Sequence, residues 1–574
     1  MNEPSPNNEN WFLRAVHSFR EPICVFWLGA ALLFSTVLSL YGIWIAFQNP
    51  YVLQDDARQY APLLYRYWDS ELFRSDLILQ YYESITPSGY KALFQWTALF
   101  GVDPVGGIKV LPLFLGLITT FFCFLLALRM THTPFGAFVA ATLLNQNLWT
   151  REDISSATPR SFAYPLFTAF CYYFFKKSRI GCFILLVLQC LFFPPVALVS
   201  LAMLAFRAVR LEPGMRISGR APGFWIVCLS VAVLLLSPYS ISSSAFGPVV
   251  SRAEAKTMIA FMKDGSQPFF LDPLQYWITG PHSGFIPYDI RPPLIWTGLL
   301  ILFFLKHRYG GRAPLPARSE TTLFQAAKFP VRIIVASTCV FLPAHAFLFH
   351  LYNPGRYTQH TFPVALALAS GVVVVEILRR VHHVNRLAGK VLVFVLLTIL
   401  AAQSVNTLLY GYGYRQYLSG KYRDLYSFFH KQQPSTLTAS LSAEADNLPA
   451  FGRRSTLAGR EYALPYHTAY YSQIHGRVSQ LIRAHYSEDP GEVRKLIRVY
   501  YVDFFLIEKG SLTLEWLRRP SWIHEYQPAA KEAVLSMESG KIPALQALLP
   551  VCTVFENRDF AVVDAKCVLN KIAK

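Results

Sequence analysis

Long apolar runs constrain the fold of this chain more than any other feature. An α-helix needs roughly 20 apolar residues to cross a bilayer, and such runs recur along the first 410 residues. Hydrophobic residues make up 53% of the 574-residue chain and aromatic residues 15%, which is not typical of soluble domains. The runs predict about eleven membrane crossings or half-crossings. We place them at residues 24–47, 107–129, 134–150, 160–175, 180–192, 195–206, 223–240, 292–306, 330–350, 360–378 and 389–410.

Two of these runs, 180–192 and 195–206, are separated by a short segment that contains Pro194 and Pro195. Adjacent prolines remove two amide donors, so the chain is expected to turn or to kink sharply there. The N-terminal residues before the first run lack the layout of a signal peptide. The first run is therefore interpreted as an uncleaved signal anchor that follows a cytoplasmic tail, residues 1–23.

The distribution of basic residues predicts the orientation. The net charge is +18, and the Lys and Arg residues cluster in short loops between the apolar runs. If the N-terminus is cytoplasmic, every strongly basic short loop falls on the cytoplasmic side, as the positive-inside rule requires. Membrane orientation explains the charge, so no nucleic-acid partner is expected. A probe at residue 440 should then be accessible from outside, and a probe at residue 215 should not.

The first segment predicted to lie outside, residues 51–105, belongs to the membrane domain 24–410 and is unusually acidic. A helical pattern of apolar residues within it, from Tyr60 to Trp68, predicts a helix lying in the membrane interface. Asp55 or Asp56 is the expected N-cap of that helix. The segment carries seven carboxylates: Asp55, Asp56, Asp69, Glu71, Asp76, Glu83 and Asp103.

Residues 411–574 have a different composition, with mixed charges and short β-like runs. Predicted strands alternate with predicted helices, which indicates a small α/β domain outside the membrane. The strands are placed at 436–441, 455–458, 500–508, 551–555 and 560–563, and the helices at 465–485, 488–498 and 527–538. A hairpin turning at Glu556–Asp559 would not place Cys552 opposite Cys567, so a disulfide between them is not favoured.

The adjacent pair Asp55 and Asp56 is the first candidate for chemistry. One reading is a helix cap beside a solvated acid. The other is a general base that its neighbour orients, or with which it holds a cation. We favour Asp55 as the base, because Asp56 would lie in the first turn, where the helix dipole favours a negative charge.

A second acidic pair, Glu152 and Asp153, lies in the next outside loop between Arg151 and Arg160. The loop could simply neutralise itself. Alternatively, Glu152 and Asp153 could share a divalent ion with Asp55 or Asp56, since oxygen ligands suit Mg²⁺ or Mn²⁺. The two arginines could instead bind a phosphate, which a guanidinium fork does well.

Arg356 is the lone charge of a later outside loop, in the tight turn Asn353-Pro354-Gly355-Arg356-Tyr357. Arginines at helix ends commonly reach toward lipid phosphates without a specific function. The placement of Arg356 among aromatic residues instead favours a site for a lipid phosphate. Arg58 and Tyr357 complete the set of candidate substrate-binding residues.

The combination of these features resembles the GT-C superfamily of membrane glycosyltransferases, which includes protein O-mannosyltransferases, aminoarabinose transferases and oligosaccharyltransferases. The resemblance covers the architecture, and at motif level it rests on Asp55-Asp56 and more loosely on Glu152-Asp153. Blocks around Thr158-Pro159-Arg160, Asn353–Tyr357 and Glu444–Tyr466 also look like bacterial membrane proteins placed near this superfamily. Family members commonly show Asp-Glu or Asp-x-Asp at the first site. Asp-Asp departs from both patterns, which leaves a metal requirement open.

This resemblance implies an α-helical polytopic protein of a bacterial cytoplasmic membrane with an extracytoplasmic α/β domain. It implies an enzyme that moves a sugar from a polyprenyl-phosphate donor to a glycan, lipid or protein acceptor on the outer face. A non-enzymatic transporter or flippase for a lipid-linked glycan is the alternative, and it predicts internal repeats and charges near mid-membrane. A polymerase or ligase would differ in using a lipid-linked acceptor as well.

Overall fold

The computed structural model describes residues 11–16, 18, 20–208, 220–263, 265–287, 290–302 and 317–572. Apolar helices form most of the chain up to residue 410, and their buried side chains make one continuous core. The helices of this part are α1 Pro22–Ala46, α2 Asp55–Trp68, α3 Leu77–Ile85, α4 Ser88–Leu99, α5 Pro104–Thr131, α6 Pro134–Trp149, α7 Ala163–Phe175, α8 Arg179–Phe192, α9 Pro194–Ala208, α10 Arg220–Ser243, α11 Ala317–Ala346, α12 Phe362–Val384 and α13 Arg386–Tyr410.

Every predicted membrane run overlaps a helix, including the shorter apolar helix Pro293–Leu302; residues 303–306 of that run lie outside the described residues. Within the described parts of the chain, five helices are long and apolar enough to cross a membrane on their own. These are Pro22–Ala46, Pro104–Thr131, Ala326–Ala346, Arg356–Val384 and Arg386–Arg415. The expected class, a polytopic α-helical membrane protein, is confirmed.

The double proline separates two helices. Phe193, in an extended conformation, ends α8, and Pro194 begins α9, which packs back against α8. The chain therefore turns at this point. Proline suits the start of α9, since the first turn of a helix leaves its amides without intrahelical partners.

Helix α2 does not lie exposed on the membrane surface as expected, and this is a correction. Ala57 and Leu64 pack into the core of the membrane helices. Leu63 and Tyr65 pack instead against residues of the C-terminal part of the chain, in a cluster that includes Phe429. Helix α2 is amphipathic as predicted. The C-terminal part of the chain, however, covers the face that was expected to contact water or lipid headgroups.

The predicted cap of α2 is also wrong. The side-chain oxygen of Gln54 accepts a hydrogen bond from the amide of Ala57 at 3.2 Å, so Gln54 is the N-cap. Asp55 and Asp56 both lie in the first turn, where the exposed amides and the helix dipole favour negative charge. The cap therefore no longer distinguishes the two aspartates.

A two-stranded sheet ties the start of α2 to the end of the membrane domain. Strand β1, Val52–Gln54, pairs antiparallel with β2, Tyr417–Ser419, which follows α13. The amide of Asp55 extends this contact by donating to the carbonyl of Gln416 at 2.9 Å. The first turn of α2, which carries Asp55 and Asp56 and is called the aspartate turn below, is thus held by backbone hydrogen bonds at a fixed place relative to the membrane helices.

The C-terminal residues form the expected α/β fold. All five predicted strands and all three predicted helices coincide with observed ones within a few residues. The elements of this part are α14 Arg423–His430, β3 Leu437–Ala439, β4 Ser455–Thr456, α15 Thr468–Tyr486, α16 Pro490–Tyr500, β5 Phe504–Glu508, α17 Ala529–Glu538, α18 Ala544–Cys552, β6 Thr553–Glu556, β7 Phe560–Asp564 and α19 Ala565–Ile572. Strand β3 is parallel to β4 and β5, and β7 is antiparallel to β5 and β6, so the order in the sheet is β4-β3-β5-β7-β6.

Cys552 and Cys567 form a disulfide, contrary to the expectation from the hairpin. Cys552 ends α18 just before β6, and Cys567 lies in α19 just after β7. The two cysteines therefore flank the open end of the hairpin instead of lying within it, and their Cα atoms are 5.5 Å apart. Helix α19 brings the second cysteine back, which the strand pattern alone did not show.

The orientation remains a prediction, and the structure improves its test. Ser440 is buried and residue 215 lies outside the described residues, so Tyr501 (83% exposed) and Lys176, an exposed residue after α7, are better probe positions. In a Cys339→Ser background, which removes an exposed thiol, a membrane-impermeant maleimide applied to intact spheroplasts should label Tyr501→Cys. Lys176→Cys should react after lysis, because basic short loops face the cytoplasm. Labelling of Lys176→Cys alone in intact spheroplasts would reverse the topology.

Candidate functional site

The charged residues singled out in the sequence converge where α2, the loop from Thr150 to Arg160 and the turn carrying Arg356 meet. Arg160 is the centre of one group. Its guanidinium pairs with Asp56 and, at 2.9 Å, with Glu152. Gln54 adds a donor to Glu152 at 3.4 Å. One member of each acidic pair, Asp56 and Glu152, thus comes close to the other, and a guanidinium lies between them.

The electrostatics of this group follow from burial. The Arg160 side chain is 15% exposed. Desolvation raises the pKa of Glu152, the positive charge of Arg160 opposes that rise, and the nearby charge of Asp56 adds to it. Arg160 is thus one cation shared by two carboxylates, and it holds Asp56 and Glu152 in place.

The predicted divalent cation finds few free ligands in this arrangement. In the parts of the chain that the structure describes, no group of three His, Cys, Asp or Glu side chains is arranged to hold a metal ion. A cation shared by Asp56 and Glu152 would have to displace Arg160 from between them. The divalent cation therefore stays a prediction. The Arg160 guanidinium lies between Asp56 and Glu152, where the prediction placed that cation.

Asp153 belongs to a buried network rather than to the open part of the site. Its carboxylate accepts a hydrogen bond from the Tyr164 hydroxyl at 2.6 Å and lies 3.3 Å from the Arg151 guanidinium and 3.6 Å from the His360 ring. Although burial opposes ionisation, Arg151 and the other donors hold the pKa of Asp153 well below its ordinary value. Arg151 also donates to the carbonyl of Gln359, so this network fixes the second loop against the turn that carries Arg356.

Arg58 is the centre of a second group of charged and polar residues at the start of α2. Its guanidinium contacts Asp55 at 2.7 Å, the Asn447 side-chain oxygen at 2.6 Å, and Glu461. Asn447 and Glu461 belong to the C-terminal α/β domain. Arg58 therefore joins the aspartate turn to that domain, and its guanidinium is occupied by protein groups.

Arg356 differs from the other three candidate arginines. Its side chain is partly buried, and among the described residues it forms no hydrogen bond or ion pair through its guanidinium. Its turn is held by the amide of Gly355, which donates to the carbonyl of His282 at 2.9 Å, and by Asn353, which contacts Tyr466 of the α/β domain. The Tyr357 ring is buried and its hydroxyl donates to the carbonyl of Leu351, so Tyr357 supports the turn from within.

Two further residues, Tyr60 and His282, connect Arg356 to the aspartate turn, and the sequence analysis did not select them. Burial raises the pKa of Tyr60; the charge of Asp56 adds to that rise, and Arg160 and Arg356 oppose it. Burial and the charges of Arg356 and Arg160 lower the pKa of His282 to about 4. Both side chains thus lie within electrostatic range of Arg160 and Arg356, and Tyr60 also lies within range of Asp56. Tyr60 could have been selected from the sequence, because it lies on the apolar face of the predicted helix. His282 could not, because it lies in a long loop without a motif.

No protein-family profile matches the chain, and no curated protein sequence matches it. Solved structures do match. The archaeal oligosaccharyltransferase AglB from Archaeoglobus fulgidus, in complex with an inhibitory peptide and a dolichol-phosphate, aligns over 90% of this chain and 73% of its own, with 11% identity and a TM-score of 0.53. The apo form of the A. fulgidus oligosaccharyltransferase aligns over the same shares with a TM-score of 0.51.

ArnT from Cupriavidus metallidurans, bound to undecaprenyl phosphate, aligns over 94% of this chain and 97% of its own. Its identity is 12% and its TM-score 0.48, a score too low to establish a common fold by itself. The AglB alignments extend over most of both chains, so the likeness concerns the whole arrangement of helices and α/β domain and not one motif.

The Asp153 network predicts a stability effect. Asp153→Asn should lower the free energy of unfolding by about 3–5 kcal/mol, the usual cost of removing one partner from a buried ion pair, because Arg151 would lose its counter-charge. The check is the thermal midpoint of the full-length protein in detergent. Glu532→Gln is the matched control: its pair with Arg483 is exposed and should be worth no more than about 1 kcal/mol. Equal midpoints for the two variants would contradict the structural role of Asp153.

Proposed function

Because this chain has the fold of the GT-C superfamily of membrane glycosyltransferases, we propose that it transfers a sugar from a polyprenyl-phosphate donor to an acceptor at the outer face of a bacterial cytoplasmic membrane. The observation that carries the proposal is a guanidinium, Arg356, that has no counter-ion among the described residues and lies near the Arg160–Asp56 ion pair. Arg356 begins an apolar helix that is long enough to cross a membrane.

Arg356 is the proposed ligand of the donor phosphate. Arg58, Arg151 and Arg160 are committed to carboxylates, and so a phosphate would have to compete with those ion pairs. Arg356 needs an anion to complete its hydrogen bonds, and a guanidinium fork matches two phosphate oxygens. The AglB complex with dolichol-phosphate supports a lipid phosphate as the class of ligand.

Asp56 is the proposed base, in place of Asp55, which the sequence favoured. The argument for Asp55 required Asp56 to cap α2, and Gln54 is the cap. Asp55 forms an ion pair with Arg58, which also binds the α/β domain. The charges of Asp56 and Arg356, in contrast, both act on the pKa of Tyr60, in opposite directions. Asp56 is therefore the aspartate on the donor side of the turn.

The reaction follows from these positions. The acceptor hydroxyl attacks the anomeric carbon, its proton passes to the Asp56 carboxylate, and the bond between that carbon and the phosphate oxygen breaks. The phosphate leaves with the bonding electron pair, and Arg356 stabilises the added negative charge. Arg160 keeps Asp56 aimed at the acceptor. A divalent cation remains a separate proposal and no step is assigned to it.

The phosphate role of Arg356 can be tested without knowing the sugar. Arg356→Lys should weaken the binding of undecaprenyl phosphate about tenfold, and Arg356→Ala more, because a point charge and then no charge replace a bidentate fork. Native mass spectrometry of the purified protein, titrated with undecaprenyl phosphate, measures both. Arg415→Lys is the matched control, since Arg415 is an exposed arginine over the Tyr410 ring at the end of α13. Equal affinity in all variants would assign the phosphate to another residue.

The aspartates are tested by turnover. Purified protein is incubated with a panel of polyprenyl-phosphate hexoses and pentoses, and release of the polyprenyl phosphate is followed. Asp56→Asn should lose roughly 10²- to 10⁴-fold of rate, the usual contribution of a general base, with its thermal midpoint retained. Asp55→Asn should retain more activity than Asp56→Asn. The opposite ranking would restore Asp55 as the base, and donor binding without any turnover would favour a transporter or flippase.

A further inference from the structure

Arg58 is the most deeply enclosed cation between the aspartate turn and the α/β domain. Its side chain is 4% exposed, and its partners come from two distant parts of the chain. Asp55 lies three residues away on α2, whereas Asn447 and Glu461 lie 389 and 403 residues away along the chain. A cation this buried is stable only where carboxylates compensate its charge and fill its donors.

We infer that Glu461 is a positioning residue. From the α/β domain, its carboxylate binds Arg58 and so limits how strongly Arg58 can pair with Asp55. In this way Glu461 fixes the position of the aspartate turn for the reaction. The inference rests on the proposed function and extends it. By this inference the α/β domain is a part of the site, because its Glu461 carboxylate acts on the aspartate turn through the Arg58 guanidinium.

The placement of Glu461 is itself rigid. Its amide donates to the Asp446 carboxylate at 3.3 Å, and the second oxygen of its own carboxylate receives Gln59 of α2 at 3.5 Å. At Gly459 any side chain would collide with that Asp446 carboxylate, 2.2 Å from the position of its Cβ. The segment from Gly459 to Glu461 therefore has little freedom to move. The position of Arg58 is set by Glu461, and not the reverse.

The charge arithmetic gives the direction of the effect. Arg58 is one cation shared by the carboxylates of Asp55 and Glu461, and the charge of Glu461 also acts on Asp56. Removing that negative charge leaves the aspartate turn with one negative neighbour fewer, which should lower the pH at which a base in this turn loses activity. The sign is the same whichever aspartate is the base. Among the described residues, the charged and titratable groups that face this cluster include Asp55, Asp56, Arg58, Tyr82, Glu152, Arg160, Tyr426, Glu444, Asp446, Arg460 and Tyr462.

Two measurements on the full-length protein in nanodiscs test this role. The first needs no substrate: hydrogen exchange of the amides of residues 53–60, followed by mass spectrometry. Glu461→Gln should raise exchange in that segment and leave strand β5 of the α/β domain unchanged. Glu525→Gln is the matched control, because Glu525 also reaches from the α/β domain to another segment, Ser266, without touching α2. Equal exchange at residues 53–60 in the two variants would overturn the inference.

The second measurement is the pH dependence of turnover on the donor that the wild-type protein accepts from the panel. Glu461→Gln should move the acidic limb about one pH unit lower, because a neighbouring negative charge is gone. It should also lower kcat roughly 10- to 100-fold through misplacement of the turn, with the KM for the donor unchanged. Glu461→Asp, which keeps the charge, should leave the acidic limb at the wild-type pH.

The outcomes separate this inference from the proposed function. An unmoved acidic limb in Glu461→Gln would overturn the positioning role even if the enzyme is a glycosyltransferase. If the wild-type protein turns over no donor, the proposed function fails, and the exchange measurement alone decides whether Glu461 positions the turn.

Discussion

Guanidinium groups shared between carboxylates hold α2 to the neighbouring segments of this protein. Arg160 joins α2 to the loop after α6, and Arg58 joins α2 to the α/β domain. Each arginine is enclosed, so the cost of removing its charge from water has to be offset by close carboxylates with good geometry. Without these two contacts the acidic turn would face two other acidic segments and repel them. The position of α2 between membrane helices and α/β domain depends on this arrangement.

The same physics explains why four arginines that look alike in the sequence have different roles. Arg58, Arg151 and Arg160 each lie near carboxylates that satisfy them, and they join the segments that carry those carboxylates. Arg356 lies in a turn without an acidic neighbour among the described residues, and for this reason the proposed function assigns the donor phosphate to it. A partly buried cation without a close counter-ion is costly, and a bound anion would offset that cost.

The sequence predicted the parts of the fold that local patterns determine. Apolar runs located the membrane helices, and alternation located the five strands, because burial periodicity is written directly into consecutive residues. The surface role of α2, the cap at Gln54 and the disulfide between Cys552 and Cys567 were missed. Each depends on a partner far along the chain: the α/β domain covers α2, and α19 returns the second cysteine to the first. For the same reason the sequence named Asp55, Asp56, Arg160 and Arg356 but could not tell which arginine pairs with which acid.

The pairing of β1 with β2 has a consequence for biosynthesis. The aspartate turn emerges from the ribosome early, right after α1, but its partners near Gln416 and Glu461 emerge after every membrane helix has been made. At about 5–20 residues per second, the 403 residues between Arg58 and Glu461 take on the order of 20 to 80 seconds. During that time Arg58 lacks Glu461. The last domain to be synthesised completes these contacts, so a chain that is truncated or stalled before Glu461 leaves the aspartate turn without its partner from the α/β domain.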